Sequence, residues 1–102
     1  MAKTFAFTGG YDTNATFLTF SDDAELPADY RDVVCATASA ASKTLTLGLA
    51  NGETLILVNV GASNAFTAAN LEGDTGTSIA AGKVALIIGS STADGTKIYV
   101  LN

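Results

Sequence analysis

Hydrophobic and polar positions alternate along most of this chain with a period of two, the spacing of a half-buried β-strand. The clearest case is "KTLTLGL" (43–49), where Leu45, Leu47 and Leu49 share one face and Thr44 and Thr46 the other. "TLILVNV" (54–60) follows with apolar residues on both faces, as a central strand requires. Between them lies Asn51-Gly52, a dipeptide that tolerates the positive φ angles of a tight turn, so the two segments are expected to form a hairpin. "AFTAAN" (65–70) is a weaker strand carrying Phe66, "LEGDTGTS" a loop, and "KVALIIG" (83–89) a strongly apolar strand. Asp94-Gly95 marks a second hairpin before the closing "KIYVLN".

The first third is less regular. "TFAFT" (4–8) places Phe5 and Phe7 on one side of an extended segment with Gly9-Gly10 as a joint behind it, a pair that either docks on a neighbouring subunit as an added strand or completes this chain's own core. "NATFLTF" (14–20) is a further strand. "SDDAELPADYRD" (21–32), with five acids and the only proline, is a surface loop with room for one helical turn. "ATASAAS" (36–42) is small and polar enough to be a connection. No repeat of fixed length stands out. Strands at such short spacing, without a helical run between them, predict an all-β fold: an antiparallel β-sandwich or jelly-roll barrel with an extended N-terminal arm. The expected division is an arm at 1–10 and a single β domain at 11–102.

Composition narrows the function. The chain has 102 residues, enough for one modest core, and 48% of them are hydrophobic while only 15% are charged. So little charge leaves apolar surface to be shared with another copy or a larger partner. The net charge of −5 and the scattering of the five Lys and Arg argue against a nucleic-acid backbone as partner. No apolar run is long enough to span a bilayer, and "MAKTFAFTGG" lacks the apolar core of a secretory signal. No membrane partner is therefore expected, and the chain is expected to be made and used, or assembled, in a cytoplasm.

The candidate chemistry is thin. "GDTGTSIAAGKVALIIG" (73–89) has the flavour of a phosphate-binding loop, but Gly76 and Gly82 enclose five residues, not four. Lys83 is followed by Val84, not Ser or Thr, and the segment opens a β-branched run instead of a helix. Gly82 is better placed to relieve a bend, and Lys83 to cap an exposed strand edge. The acids Asp22, Asp23, Glu25, Asp29 and Asp32 offer oxygen ligands without the alternating spacing or central glycine of a calcium loop, and Glu72 and Asp74 form a second acidic pair. Solvated loop charge is the simpler reading of both. The single cysteine, Cys35, reads as a small buried hydrophobe, because the sequence holds no histidine to serve as its base. No catalytic residue, metal site or cofactor is expected, and the chain is read as a non-enzymatic β-protein built to associate.

Residues 52–102 carry a strand ending in Asn-Val-Gly, an Asn-Ala-Phe-Thr strand, a Gly-Asp-Thr-Gly loop, and Ala-Gly-Lys leading into an apolar strand. This half of the chain resembles β-rich segments of tailed-bacteriophage head-fibre and capsid decoration proteins. The resemblance implies a structural virion protein on the outer surface of a capsid, assembled in the host cytoplasm and bound to the major capsid protein. It further implies a homo-oligomer, a trimer, with Phe5 and Phe7 as capsid or subunit contacts and a core of Val58, Val60, Val84 and Ile88. The alternative from another class is a small β-sandwich module that binds glycans, for which Tyr11, Tyr30 and Tyr99 are the available tyrosines.

Overall fold

The computed structural model describes residues 14–101 of the chain. The expected arm, with Phe5 and Phe7, lies outside the described residues, as does Tyr11. Within them the chain is all-β, as the periodicity requires, with nine strands and no helix. In order these are β1 (Thr16–Phe20), β2 (Ala24–Glu25), β3 (Val33–Ala38), β4 (Lys43–Thr46), β5 (Thr54–Asn59), β6 (Phe66–Ala69), β7 (Thr77–Ile79), β8 (Val84–Ile88) and β9 (Lys97–Leu101).

The strands form a five-stranded sheet, β1-β3-β5-β8-β9, and a four-stranded sheet, β2-β4-β6-β7. From β1 to β6 the chain changes sheet at every connection, so it winds as a flattened coil whose successive turns stack. The neighbours β1, β3 and β5 are consequently parallel, as are β2, β4 and β6. The last third reverses. β7 runs antiparallel to β6, β8 to β5 and β9 to β8, which makes both sheets mixed where purely antiparallel pairing was expected.

The coil corrects several local expectations. Asn51-Gly52 does form a turn, with Gly52 at φ 84° and Glu53 N–H donating to the Ala50 carbonyl at 3.0 Å. That turn is a corner between the sheets, not a hairpin. Before it, Leu47 and Gly48 donate to carbonyls of Ala69 and Asn70; after it, Gly52 and Gly89 exchange bonds with the strand end of β8 and with Glu53. "ATASAAS" is no mere connection, since Ala36–Ala38 complete β3. The 21–32 segment contains β2 and a turn closed by Tyr30 N–H on the Pro27 carbonyl, without a helical turn. The Asp94-Gly95 signal is sound: it lies in the loop joining the antiparallel pair β8 and β9.

The buried hydrophobic residues form one cluster to which both sheets contribute. Phe20, Val34, Ala36, Leu55, Leu57, Ala85 and Ile87 come from the five-stranded sheet. Leu45, Phe66, Ala68 and Ile79 come from the other, together with Leu47 and Leu49 just past β4. The Phe20 and Phe66 rings meet edge to face across the core, centroids 5.4 Å apart, a geometry favoured by the aromatic quadrupole. The leucine triplet at 45, 47 and 49 thus faces inward as its alternation requires. The expected core of Val58, Val60, Val84 and Ile88 does not. Those residues point the other way, Val60 and Ile88 being exposed and Val58 and Val84 half-buried. The inward positions on β5 and β8 are Leu55, Leu57, Ala85 and Ile87.

Candidate association surface

The outward faces of the two sheets differ in chemistry, and register shows how. On the four-stranded sheet Thr44 stands opposite Thr67, and Thr67 opposite Ser78, so a row of hydroxyls crosses the outer face. Such a surface is satisfied by water. On the five-stranded sheet the two central rows are apolar, with a hydroxyl pair, Thr19 and Thr37, beyond them at one end. One runs Phe17, Cys35, Val58, Val84, Leu101 from β1 to β9. The next runs Val33, Ile56, Leu86, Tyr99 from β3 to β9. A third ends the face with Thr54, Ile88 and Lys97. Phe17 is 73% exposed, Tyr99 52% and Leu101 51%.

The strands make this face continuous because β3, β5 and β8 are apolar on both sides, the property the sequence shows for "TLILVNV" and "KVALIIG". Lys97 is the one charged residue in these three rows. The acids occupy loops and strand ends instead, where several serve the fold. Asp23 accepts the Thr44 N–H at 2.9 Å, and Lys43 pairs with Asp22 at 3.4 Å, so the acidic segment fastens β2 alongside β4. An exposed pair of this kind contributes little by itself. Glu53 accepts the Ala50 N–H at 2.7 Å, which holds its carboxyl below its ordinary pKa of 4.5. Burial, followed by the charges of Glu53 and Asp32, raises the Tyr30 hydroxyl above its ordinary 10.0.

The second acidic pair of the sequence is split by the fold. Asp74 meets Asp94, not Glu72, in a loop-to-loop clasp. Asp94 N–H donates to Asp74 Oδ1 at 3.0 Å, and Thr75 N–H returns a bond to Asp94 Oδ1 at 2.7 Å. Asp74 Oδ2 also takes the Leu71 N–H. The clasp borders a cleft of about 420 Å³ lined by Asn70, Thr75, Thr77, Thr96 and Ile98 among others. Among the described residues no three His, Cys, Asp or Glu side chains are grouped to hold a metal ion.

The remaining sequence candidates resolve in place. Gly76 has φ 72° and leads into β7, and Gly82 has φ 80° in the turn before β8. Neither opens a helix. Lys83 leads into β8, which has partners on both sides, so it caps no free edge. Cys35 is half-buried on the outer face, between Phe17 and Val58, and does not belong to the core.

Two asparagines, Asn59 and Asn70, are fully buried and carry cross-links that their sequence context does not signal. Asn70 pairs with both polar groups of the Leu49 peptide: Leu49 N–H donates to its Oδ1 at 2.6 Å, and its Nδ2 donates to the Leu49 carbonyl at 3.0 Å. The same Nδ2 reaches the Ser90 carbonyl at 2.9 Å. Asn59 Nδ2 donates to the carbonyls of Asn64 and Ile79, while its Oδ1 accepts the Gly61 N–H. Each side chain ties strand ends of one sheet to the other, and no buried side-chain polar atom among the described residues lacks a partner. In the sequence they fall within the expected strands 54–60 and 65–70, where nothing marks them as cross-links.

No helix among the described residues is long and apolar enough to cross a membrane. Neither a family model, nor a curated protein, nor a solved structure matches the chain.

Proposed function

We propose that this chain is a structural, non-enzymatic protein that works in many copies, as a homo-oligomer on the outer surface of a bacteriophage capsid. The observation that carries the associative part is the contrast between the two sheets, one outer face crossed by a hydroxyl row and the other by two adjacent apolar rows. A contiguous apolar patch of this kind is characteristic of interaction sites. The capsid as the setting comes from the resemblance of residues 52–102 to head-fibre and decoration proteins. On this reading the sheets pack as a sandwich, residues 1–10 form an arm, and Phe5 and Phe7 grip a neighbouring subunit or the major capsid protein. Reinforcement comes from avidity, many modest contacts cross-bracing one lattice.

Quantitative peptide mass spectrometry on purified virus particles from the source culture tests the proposal. A fixed, high ratio of this chain to the major shell protein supports it. Abundance in the lysate with absence from particles overturns it. One observation favours the glycan-binding alternative, the exposed ring of Tyr99 on a sheet face. Its cross-strand neighbour is Leu86, however, and its row continues through Ile56 and Val33, which offer a sugar no hydrogen bond. Saturable binding on a glycan panel without association to particles would favour that module instead.

A further inference from the structure

The outer face of the five-stranded sheet has a relief that decides what can cover it. In one row the three middle positions are small: Cys35 on β3, Val58 on β5 and Val84 on β8. In the adjacent row the positions beside them are Val33 on β3, Ile56 on β5 and Leu86 on β8, the last two larger than the valines they flank, while Tyr99 stands beside Leu101 at the β9 end. The face is therefore a trough lying next to a ridge, two residues or about 7 Å apart along the strands. A surface that pairs with itself across a two-fold axis must be complementary to itself, residue i meeting j while j meets i. A parallel trough and ridge meet that condition when the axis runs between them. The ridge of each copy then seats in the trough of the other.

Charge permits the same pairing. Two copies at −5 each repel, yet these two rows carry no charged residue, so the opposed surfaces bring no acids together. Among the described residues β1 and β9 end the sheet, and the backbone groups along those edges can be satisfied by water, whereas the apolar rows cannot. Covering the face, not extending the edge, is the larger gain.

We propose that the outer face of the five-stranded sheet binds a second copy of this chain, sheet against sheet across a two-fold axis, with the Ile56–Leu86 ridge of each copy in the Cys35–Val58–Val84 trough of the other. The inference rests on the homo-oligomer reading and goes further, because a two-fold face closes at two copies and not at the three that the resemblance implies. Five strands at ~4.8 Å spacing and three outward positions along each give an outline of roughly 20 by 17 Å. Even allowing for corrugation, that falls short of the roughly 800 Å² per partner of stable complexes. The pair is accordingly a concentration-dependent dimer.

The test is sedimentation velocity on the full chain over a dilution series, with Leu86→Glu and Ile56→Glu as face variants and Ser78→Glu on the opposite sheet as control. Far-ultraviolet circular dichroism verifies that each variant is folded. A dimer in the unmodified and Ser78→Glu proteins is expected. The face variants should dissociate about tenfold or more readily, since each places a carboxylate in an apolar contact. If the face variants do not fold, Leu86→Ala serves in their place, with a weaker dimer expected and an unchanged one counting against the inference. A dimer or trimer that the face variants leave intact overturns the face pairing while the homo-oligomer reading stands. A monomer at every concentration overturns both.

Discussion

Asn70 is the most consequential side chain in the fold for its size, and Asn70→Ala is the sharpest test of how the two sheets are held together. Truncation removes three hydrogen bonds: two with the Leu49 peptide, both buried, and one with the Ser90 carbonyl, partly buried. The Leu49 N–H and C=O are then left without partners in a dry environment, whereas the Ser90 carbonyl can turn to solvent. At ~1–3 kcal/mol for each buried group left unsatisfied, the loss is about 2–6 kcal/mol. Domains of this size are stable by only ~5–15 kcal/mol, so the variant sits near the edge of folding. Urea unfolding followed by circular dichroism should show the midpoint falling with little change in slope. The melting temperature should drop by roughly 10 °C or more, at ~4–8 °C per kcal/mol. Asn64→Ala is the comparison. It loses one partly buried bond, to the Ala38 carbonyl, and should cost only about 1 kcal/mol. Asn70→Asp keeps an acceptor for Leu49 N–H but turns a carboxylate toward two carbonyls, and should be no more stable than the alanine variant. A loss below about 1 kcal/mol for Asn70→Ala would refute the reasoning, because the Leu49 peptide would then have another way to be satisfied.

Further predictions concern the corners, the clasp and the pH response. A Cβ at Gly76 would lie 2.6 Å from the Ala68 carbonyl oxygen and 2.7 Å from Thr67 Cγ2, at φ 72°. Gly76→Ala should therefore cost about 2–4 kcal/mol in a denaturation experiment, whereas Gly73→Ala, at φ 89° with open space around it, should cost only about 1. In a double-mutant cycle on the loop clasp, Asp74→Ala and Asp94→Gly should be non-additive by about 0.5–1 kcal/mol; strict additivity would mean that the two loops are held independently. Glu53 has a depressed folded pKa, so its stabilising contribution is present above its ordinary pKa of 4.5 and is lost as pH falls through the lower folded value. The stability difference between the unmodified protein and Glu53→Gln should shrink across that window, and a difference independent of pH would contradict the assignment.

How far the sequence revealed this architecture can be seen strand by strand. Period-two alternation located β4 and fixed the inward face of Leu45, Leu47 and Leu49, because Thr46 and Gly48 separate each leucine from the next, while apolar runs between turn signals located β5, β8 and β9. It failed to fix the inward face of β5 and β8. There both sides are apolar, so Val58 and Val84 looked as suitable for the core as Leu57 and Ala85. The same ambiguity hid the association surface: apolar character on both sides suggested strands covered twice, whereas one side is exposed. Sheet membership was not legible either. A turn such as Asn51-Gly52 reverses the chain equally well into a neighbouring strand or across to the other sheet, and only the bonds of Leu47 to Ala69 of β6 and of Gly52 to Gly89 just past β8 distinguish the two. The coil also lacks a fixed repeat length. Thr16 pairs with Val34 and Val34 with Leu57, unequal steps along the chain, so its turns leave no period to detect.

Cys35 reports directly on whether the apolar face is covered, because it lies in the outer-face row between Phe17 and Val58 and is the chain's only cysteine. The measurement is the rate at which a small thiol reagent modifies it as protein concentration rises under native conditions, with the denatured chain as reference. If the apolar face is the working surface, the rate falls as copies associate and recovers on dilution. A rate that stays constant while the protein demonstrably assembles would place the contact elsewhere and contradict the account.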